Sequence, residues 1–152
     1  MELNEDELQA LKQYMSSKSY IINEKLRLND DDLTLRERNI IVHLDNALKK
    51  LPFYNGDITR SVYLRRDQVQ EFLEEHKIGN TIIYGAYTSF TSGDEYNPEA
   101  IIQMLILDST KARDITKYNA DEKEVLYERN TKFQVEYVEH INDIYYIFLM
   151  EV

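Results

Sequence analysis

The sequence predicts an α+β fold, with helices in the first half of the chain and mostly antiparallel strands in the second. Up to about residue 78 the apolar residues recur at helical spacing, and from about residue 80 they follow runs typical of strands. Only four glycines and two prolines occur, and they fall singly, so no flexible linker divides the chain. The 152 residues are therefore expected to form one domain, residues 1–152.

Two short helices are predicted first. Leu8, Leu11 and Met15 mark the apolar side of the first helix, and Asn4 is placed to cap it, with Glu7 three residues on. The second helix is "SYIINEKLRL", residues 19–28, in which side chains four residues apart are neighbours.

Two further helices follow. "TLRERNIIVHLDNALKKLP" is capped by Thr34 and halted by Pro52, and "RDQVQEFLEEHKIG" has Gly79 as its stop. The predicted strands share a high content of β-branched and aromatic residues: "DITRSVYL", "TIIYGAYTSFTS", "IIQMLILD", "KEVLYE", "TKFQVEYVEHI" and "DIYYIFLMEV".

Composition excludes several classes of function. With 28 acidic against 18 basic side chains, the formal charge is −10, the wrong sign for wrapping a nucleic acid or lying on anionic lipid. No cysteine occurs, and the three histidines are widely scattered, so no metal site is expected. The chain shows no export signal and no apolar run near the roughly 20 residues of a membrane span. A soluble, cytoplasmic monomer is expected.

A pair of glutamates opens one predicted strand. Because side chains alternate between the faces of a strand, Glu122 and Glu124 are expected to project on the same side. Two like charges this close raise each other's pKa, a cost that chemistry could justify. The alternative is a solvated edge, where acidic residues discourage pairing between sheets.

Other polar residues interrupt β-type runs upstream. Ser89, Thr91 and Ser92 lie next to Tyr87 and Phe90 at the end of an apolar run, where hydroxyls could hold a carboxylate in position. Arg60 lies in the middle of "DITRSVYL". A cleft-facing arginine needs an anion, and its fork suits a phosphate or carboxylate.

This order of motifs resembles the mono-ADP-ribosyltransferase family of the arginine, serine-threonine-serine, glutamate class. That family includes the enzymatic components of clostridial binary toxins such as iota toxin, and related phage and vertebrate arginine-modifying enzymes. "YIINEKLRL" is similar to the family's Asn-x-x-Leu-Arg helix, and "EKEVLYERNTKFQV" to its Glu-x-Glu-Val-Leu run with a later Thr-x-Phe-x-Val. The resemblance implies N-terminal helices packed on two mostly antiparallel sheets that enclose an NAD cleft.

The sequence departs from the family pattern at three places. Thr59 precedes the strand arginine, where the family often has an aromatic residue, and Ser61 follows it, where Gly or Arg is usual. The hydroxyl motif fits two registers, one that begins at Ser89 and a later one that begins at Thr91. Ser89 is preferred as the leading serine because it lies two residues after Tyr87.

The resemblance implies a division of labour in the transfer of ADP-ribose from NAD. Glu124 would accept a hydrogen bond from a ribose hydroxyl and favour the positive charge that develops as nicotinamide leaves. Ser89 would orient Glu124. Glu122 would take the proton from an arginine acceptor. Tyr118, just before the pair, would contact the acceptor protein.

The remaining roles concern NAD, which is a consumed substrate. Arg60 would grip its pyrophosphate or ribose edge, Arg27 would assist, and Asn23 lies one turn earlier on the same helix face. Ser61 and Thr91 complete the expected NAD-binding set. The alternatives are ordinary: Arg27 could pair with Asp30 or Asp31, and Arg60 could close an internal ion pair.

The expected activity is therefore transfer of ADP-ribose to an arginine of a target protein. Two rivals stay open: an NAD glycohydrolase, in which water replaces the acceptor, and an inactive interaction domain of the same fold that binds a basic partner. A second location also stays open, in which the chain is the catalytic piece of a secreted toxin or effector that acts in the cytosol of a target cell.

Overall fold

A computed structural model describes residues 2–28, 32–93, 97–118 and 123–152, apart from the side chains of residues 17 and 18. The helices are α1 (Glu5–Gln13), α2 (Ser19–Arg27), α3 (Leu35–Lys50) and α4 (Arg66–Glu75), and a π-helical turn over Tyr14–Lys18 joins α1 to α2. The strands are β1 (Gly56–Val62), β2 (Thr81–Tyr84), β3 (Thr88–Ser92), β4 (Ile102–Ser109), β5 (Arg113–Asp114), β6 (Glu124–Tyr127), β7 (Thr131–Ile141) and β8 (Ile144–Glu151). The predicted α+β class is confirmed.

The two predicted N-caps form as capping boxes. The side chain of Asn4 accepts a hydrogen bond from the N–H of Glu7, and Glu7 Oε1 accepts one from the N–H of Asn4. Thr34 and Glu37 form the same reciprocal pair at the start of α3. Each box satisfies N–H groups that the first helical turn would otherwise leave unpaired.

The helix ends differ in how well the sequence predicts them. α3 stops at Lys50 because Leu51, the residue before Pro52, is extended, with φ −82° and ψ 151°. Gly79 has φ +91°, but α4 has already ended at Glu75, so this glycine turns the chain toward β2 and does not cap the helix.

The first core lies between the helices α1, α2 and α3 and one face of β3 and β6. Its fully buried members are Leu11, Ile22, Leu44 and Leu48 from the helices, with Tyr87, Ile115 and Leu126 from the strand side. Each buried leucine or isoleucine contributes about 1.5–3 kcal/mol. Lys50 Nζ donates to Glu7 Oε1 at 2.7 Å, which joins α3 to α1 at the edge of this core.

Hydrogen bonds join the strands in one order, β2-β7-β8-β4-β1-β3-β6-β5, in which only β4 and β8 run parallel. The resemblance implies two sheets, and a short pairing of β1 with β3 at Ile58↔Ser92 and Thr59↔Thr91 links the strands into one curled sheet. The link is short, whereas β1 pairs with β4 from Gly56 to Val62. The sheet curls at this link into two layers.

The curl encloses the second core. Phe90 of β3 and Tyr127 of β6 pack edge to face with ring centroids 5.5 Å apart, and Tyr127 meets Phe133 of β7 at 4.8 Å. Because β7 lies far from β6 in the strand order, these contacts require the two ends of the sheet to face each other. β3 and β6 therefore separate the two cores, with alternate side chains in each.

The predicted strand over residues 81–92 is divided in two. Gly85 lies so close to α2 that a Cβ there would be 3.2 Å from the carbonyl oxygen of Leu26. The N–H of Tyr87 donates to Oδ1 of Asn23 at 3.2 Å and so takes no part in a ladder. β2 pairs with β7, and β3 pairs with β1 and β6. None of the described helices is both long and apolar enough to cross a membrane.

Candidate active site

The candidate site lies in the gap where β1 and β3 separate. Their pairing ends at Thr59↔Thr91, and Arg60, the next residue of β1, extends its side chain across the gap. Nη1 of Arg60 donates a hydrogen bond of 2.8 Å to the carbonyl oxygen of Ser89. The guanidinium thus joins the two strands where no ladder bond does.

Arg60 brings positive charge into a buried position. Burial lowers the pKa of Arg60, and the positive charge of Arg27 lowers it further. A guanidinium nevertheless stays protonated in proteins. Arg60 forms no salt bridge within the described ranges, so the internal ion pair considered from the sequence is not found there. Glu124 offsets the charge only in part, and the site favours an anion.

Ser89 and Glu124 meet on neighbouring strands. The hydroxyl of Ser89 donates to Oε2 of Glu124 at 2.6 Å, and Glu124 is 9% exposed. The cross-strand pairs Ser89↔Leu126 and Thr91↔Glu124 place both side chains on one face of the β3–β6 pair. A charged acceptor makes this a strong hydrogen bond, which fixes the carboxylate.

Three adjoining cavities surround Arg60. One of about 220 Å³ reaches from Arg60 past Thr91 and Glu124 toward Tyr63. A second, of about 490 Å³, is bounded by the π-helical turn and α2 on one side and by Ser89 and Glu124 on the other. A third, of about 580 Å³, runs between Arg27 and Tyr84. Together they offer room for an extended ligand, since small-molecule sites usually enclose about 300–1,000 Å³.

Arg27 and Asn23 both border the second cavity, as their spacing on α2 predicts. Arg27 forms no salt bridge among the described residues, and Asp30 and Asp31 lie outside them. Arg27 and Arg60 therefore give one cavity two cationic walls.

Asn23 also makes structural hydrogen bonds that its position on α2 does not predict. Its Nδ2 donates to the hydroxyl of Tyr14 at 2.9 Å, while its Oδ1 accepts from the N–H of Tyr87. Only 9% of Asn23 is exposed. Both ends of the carboxamide are thus used inside the protein, so Asn23 shapes the cavity wall.

Ser61 and Thr91 border the smallest of the three cavities. The hydroxyl of Ser61 lies 2.8 Å from Oε1 of Gln103 and accepts from the N–H of Asn97 at 3.0 Å. Ser61 therefore joins β1 to the loop before β4. Thr91 lies opposite Glu124 and shares its face of the sheet, and both Ser89 and Thr91 border this cavity.

The acceptor side of the site is only partly described. Glu122 lies outside the described residues, as does the segment 119–121. The strand β6 begins at Glu124, and Lys123, the residue before it, has φ +48°. Tyr118 packs against the first core and borders none of the three cavities.

The sequence does not predict two tyrosines that border the cavities. Tyr14 lies in the π-helical turn, and burial raises its pKa to about 12. Tyr84 lies at the end of β2, and its hydroxyl is 2.7 Å from Nε2 of the buried His76. With 12 tyrosines in the chain, no spacing singles out these two. No cluster of acidic and histidine side chains able to hold a metal occurs within the described ranges.

The geometry supports chemistry at a sugar that carries phosphates. The two guanidiniums can bind a pyrophosphate, and the carboxylate of Glu124, held by Ser89, can stabilise positive charge at a neighbouring sugar carbon. Arg60, Ser89 and Glu124 lie together as the sequence predicts.

Two curated proteins are similar in sequence. The NAD(+)–protein-arginine ADP-ribosyltransferase Tre1 of Serratia proteamaculans is 29% identical over 134 residues, a match that covers 88% of this chain and 29% of Tre1. The putative NAD(+)–arginine ADP-ribosyltransferase Mav of Mycobacterium avium is 32% identical over 139 residues, which covers 88% of this chain and 16% of Mav. The chain thus spans less than a third of either relative.

Solved structures share the fold. The C3 exoenzyme of Clostridium limosum superposes with a TM-score of 0.78 at 21% identity, over 99% of this chain and 87% of that one. The Vis toxin of Vibrio splendidus, an ADP-ribosyltransferase, gives a TM-score of 0.78 at 21% identity, over 99% and 74%. The sequence model of the ADP-ribosyltransferase exoenzyme family matches residues 1–150. This chain therefore belongs to the ADP-ribosyltransferase exoenzyme family.

Proposed function

We propose that this domain transfers ADP-ribose from NAD to an arginine side chain of a target protein and releases nicotinamide. The observation that carries the proposal is the contact between Ser89 and Glu124, 2.6 Å long, beside the buried guanidinium of Arg60. The names of Tre1 and Mav, both arginine ADP-ribosyltransferases, support arginine as the acceptor.

The residues present fit NAD as a substrate. Arg60 and Arg27 border the same two cavities and supply two cations for the pyrophosphate, and the adjoining cavities give room for a dinucleotide. In the proposed mechanism, Glu124 accepts a hydrogen bond from a ribose hydroxyl and favours the positive charge that develops on the ribose. Ser89 holds the carboxylate in that orientation.

The acceptor step needs a base. An arginine side chain is protonated at physiological pH, so it becomes a nucleophile only if a base takes its proton as the new bond to the ribose carbon forms. Glu122 takes this proton in the proposed mechanism, and Tyr118 contacts the acceptor protein. The formal charge of −10 suits a basic acceptor surface around the exposed arginine.

The domain acts, in this proposal, as a monomer and as the catalytic piece of a toxin or effector in the cytosol of a target cell. The likeness to the C3 exoenzyme and the Vis toxin supports this setting. The proposed mechanism requires no second subunit, since Arg60, Ser89 and Glu124 lie on one chain.

Labelled NAD tests the proposal and its rivals together. The protein is incubated with labelled NAD and either a bacterial or an animal lysate, free nicotinamide is measured, and the modified residue is identified by mass spectrometry. A labelled arginine that is absent with Glu124→Gln supports the transferase. Nicotinamide release without any labelled protein indicates a glycohydrolase. Neither product, with no NAD binding by calorimetry, indicates an inactive interaction domain.

A further inference from the structure

Asp45 of α3 contacts residues that flank β3 and β6, two of the strands of the candidate site. The hydroxyl of Tyr87 donates to Oδ1 of Asp45, and Tyr87 is the residue immediately before β3. Arg129, just after β6, donates from Nε to Oδ1 of Asp45 at 3.2 Å and from Nη2 to Oδ2. One carboxylate thus binds the residue before β3 and a residue shortly after β6. Asp45, Tyr87 and Arg129 are named the Asp45 cluster below.

Tyr87 is fixed at its backbone, its ring and its hydroxyl. Its N–H donates to Asn23, and its ring meets that of Tyr14 edge to face with centroids 5.3 Å apart. Only 2% of Tyr87 is exposed. Burial and the neighbouring Asp45 carboxylate raise the pKa of Tyr87, so its hydroxyl stays a neutral donor. Two residues further on, Ser89 donates to Glu124.

The β3–β6 ladder is short, and buried side chains on its two faces, such as Val125 and Leu126, help to fix its register. It runs only from Thr88↔Tyr127 to Thr91↔Glu124. A slip of one residue would move Glu124 to the opposite face, away from Ser89 and Arg60. The Asp45 cluster binds both strands at the same end of this ladder, and a slip would break its bonds. The cluster therefore adds a further constraint on the register at one end of this ladder.

We propose that Asp45 is a positioning residue for Glu124 and acts through Tyr87 and Arg129. Asp45 borders none of the three cavities around Arg60, yet it helps to set the register that keeps Ser89 and Glu124 in contact. The inference rests on the proposed function, because it concerns the same carboxylate. A small displacement of a catalytic group lowers the rate of the chemical step more than it lowers substrate binding.

Two buried tyrosines give a matched pair of variants. The hydroxyl of Tyr127 donates to Oε2 of Glu151 at 2.8 Å, so Tyr127, like Tyr87, is hydrogen-bonded to a carboxylate. Tyr127 differs in its location, because its side chain lies in the second core, on the face of β6 opposite to that of Glu124. Tyr87→Phe is expected to lower kcat for NAD cleavage about 10-fold with KM within about twofold. Tyr127→Phe is expected to keep kcat within about twofold. An equal loss of kcat in both variants, or none in Tyr87→Phe, would overturn the proposal.

Asp45→Asn adds a second test, because an amide can still accept from Tyr87 but no longer pairs as an ion with Arg129. The same loss of kcat is expected, and the double variant Asp45→Asn with Tyr87→Phe should lose little more than either single variant. Multiplicative losses would show that the two residues act independently and would contradict the inference. If Asp45→Asn does not fold, the pair of phenylalanine variants still decides the question.

Hydrogen exchange in the protein without NAD separates this inference from the proposed function. If the unaltered protein cleaves no NAD, the proposed function fails, but the register claim is still testable. Tyr87→Phe should speed exchange of the β3 and β6 ladder amides, whereas Tyr127→Phe at matched stability should not. Unchanged exchange in Tyr87→Phe would overturn the claim that the cluster fixes the register.

Discussion

Arg60 and Glu124 lie on opposite sides of Ser89 and bind different atoms of it. Nη1 of Arg60 donates to the Ser89 carbonyl oxygen at 2.8 Å, and the Ser89 hydroxyl donates to Oε2 of Glu124 at 2.6 Å. The cation and the anion thus share one bridging residue and form no salt bridge with each other within the described ranges. Arg60 stays available to an anionic substrate.

Arg60→Lys is expected to raise the Michaelis constant for NAD about 10-fold while kcat changes by less than about threefold. The reason is that a planar fork becomes a point charge, which weakens binding of the pyrophosphate in ground state and transition state alike. Steady-state kinetics of nicotinamide release measure both constants. Arg65→Lys, at an exposed pair with Asp67, is the control. An unchanged Michaelis constant in Arg60→Lys would assign Arg60 a structural role only.

Glu122→Gln is expected to spare glycohydrolysis and remove transfer to arginine. Water needs less help from a base than a protonated guanidinium does, because only the guanidinium must lose its proton to become a nucleophile. Nicotinamide release and labelling of an arginine acceptor are measured on the same samples. Parallel loss of both activities would contradict the base assignment.

Asn23→Ala is expected to lower the free energy of unfolding by about 1–3 kcal/mol in the absence of NAD. The change leaves the Tyr14 hydroxyl and the Tyr87 N–H without their buried partner. Urea unfolding measures the loss, and Asn46→Ala, at an exposed position of α3, is the control. Equal stability of the Asn23 and Asn46 variants would mean that Asn23 serves NAD alone.

Glu7→Gln is expected to cost about 1–3 kcal/mol of stability at pH 7, and the cost should shrink as the pH falls below about 4. The hydrogen bond from Lys50 is the main cause that lowers the pKa of Glu7. A group whose pKa is lowered in the folded state stabilises the fold above its unfolded pKa, and the gain is lost as it becomes protonated. Glutamine preserves the capping box, so the variant isolates the charge.

Glu5→Gln in the same helical turn is the control, because Glu5 is exposed. Denaturant unfolding of the unaltered protein and both variants at pH 7 and at low pH gives the comparison. A difference between Glu7→Gln and the unaltered protein that is the same at both pH values would exclude the ion pair with Lys50 as the cause.

The sequence predicts best what depends on local spacing. Both capping boxes, the face shared by Asn23 and Arg27, and the approach of Arg60, Ser89 and Glu124 follow from motifs of a few residues or from their order along the chain. The break between β2 and β3 does not, because it depends on Asn23, which is 64 residues from Tyr87. The two-residue strand β5 carries no alternation that could reveal it.

The Asp45 cluster is a second feature that depends on long-range contacts and is not predicted from the sequence. Asp45 is separated by 84 residues from Arg129, and its spacing on α3 marks it only as a polar position beside the apolar Leu44. Its contact with both site strands exists only once the helices have packed on the sheet. Long-range polar contacts of this kind need coordinates, whereas the carboxylate they position can be predicted from the Glu-x-Glu motif.

Nicotinamide release by Glu124→Gln tests the central claim most directly, with NAD affinity measured by calorimetry on the same protein. If Glu124 stabilises the charge that develops on the ribose, kcat should fall about 100-fold or more while NAD still binds within about threefold of its original affinity. A variant that cleaves NAD within about threefold of the original rate would contradict the claim.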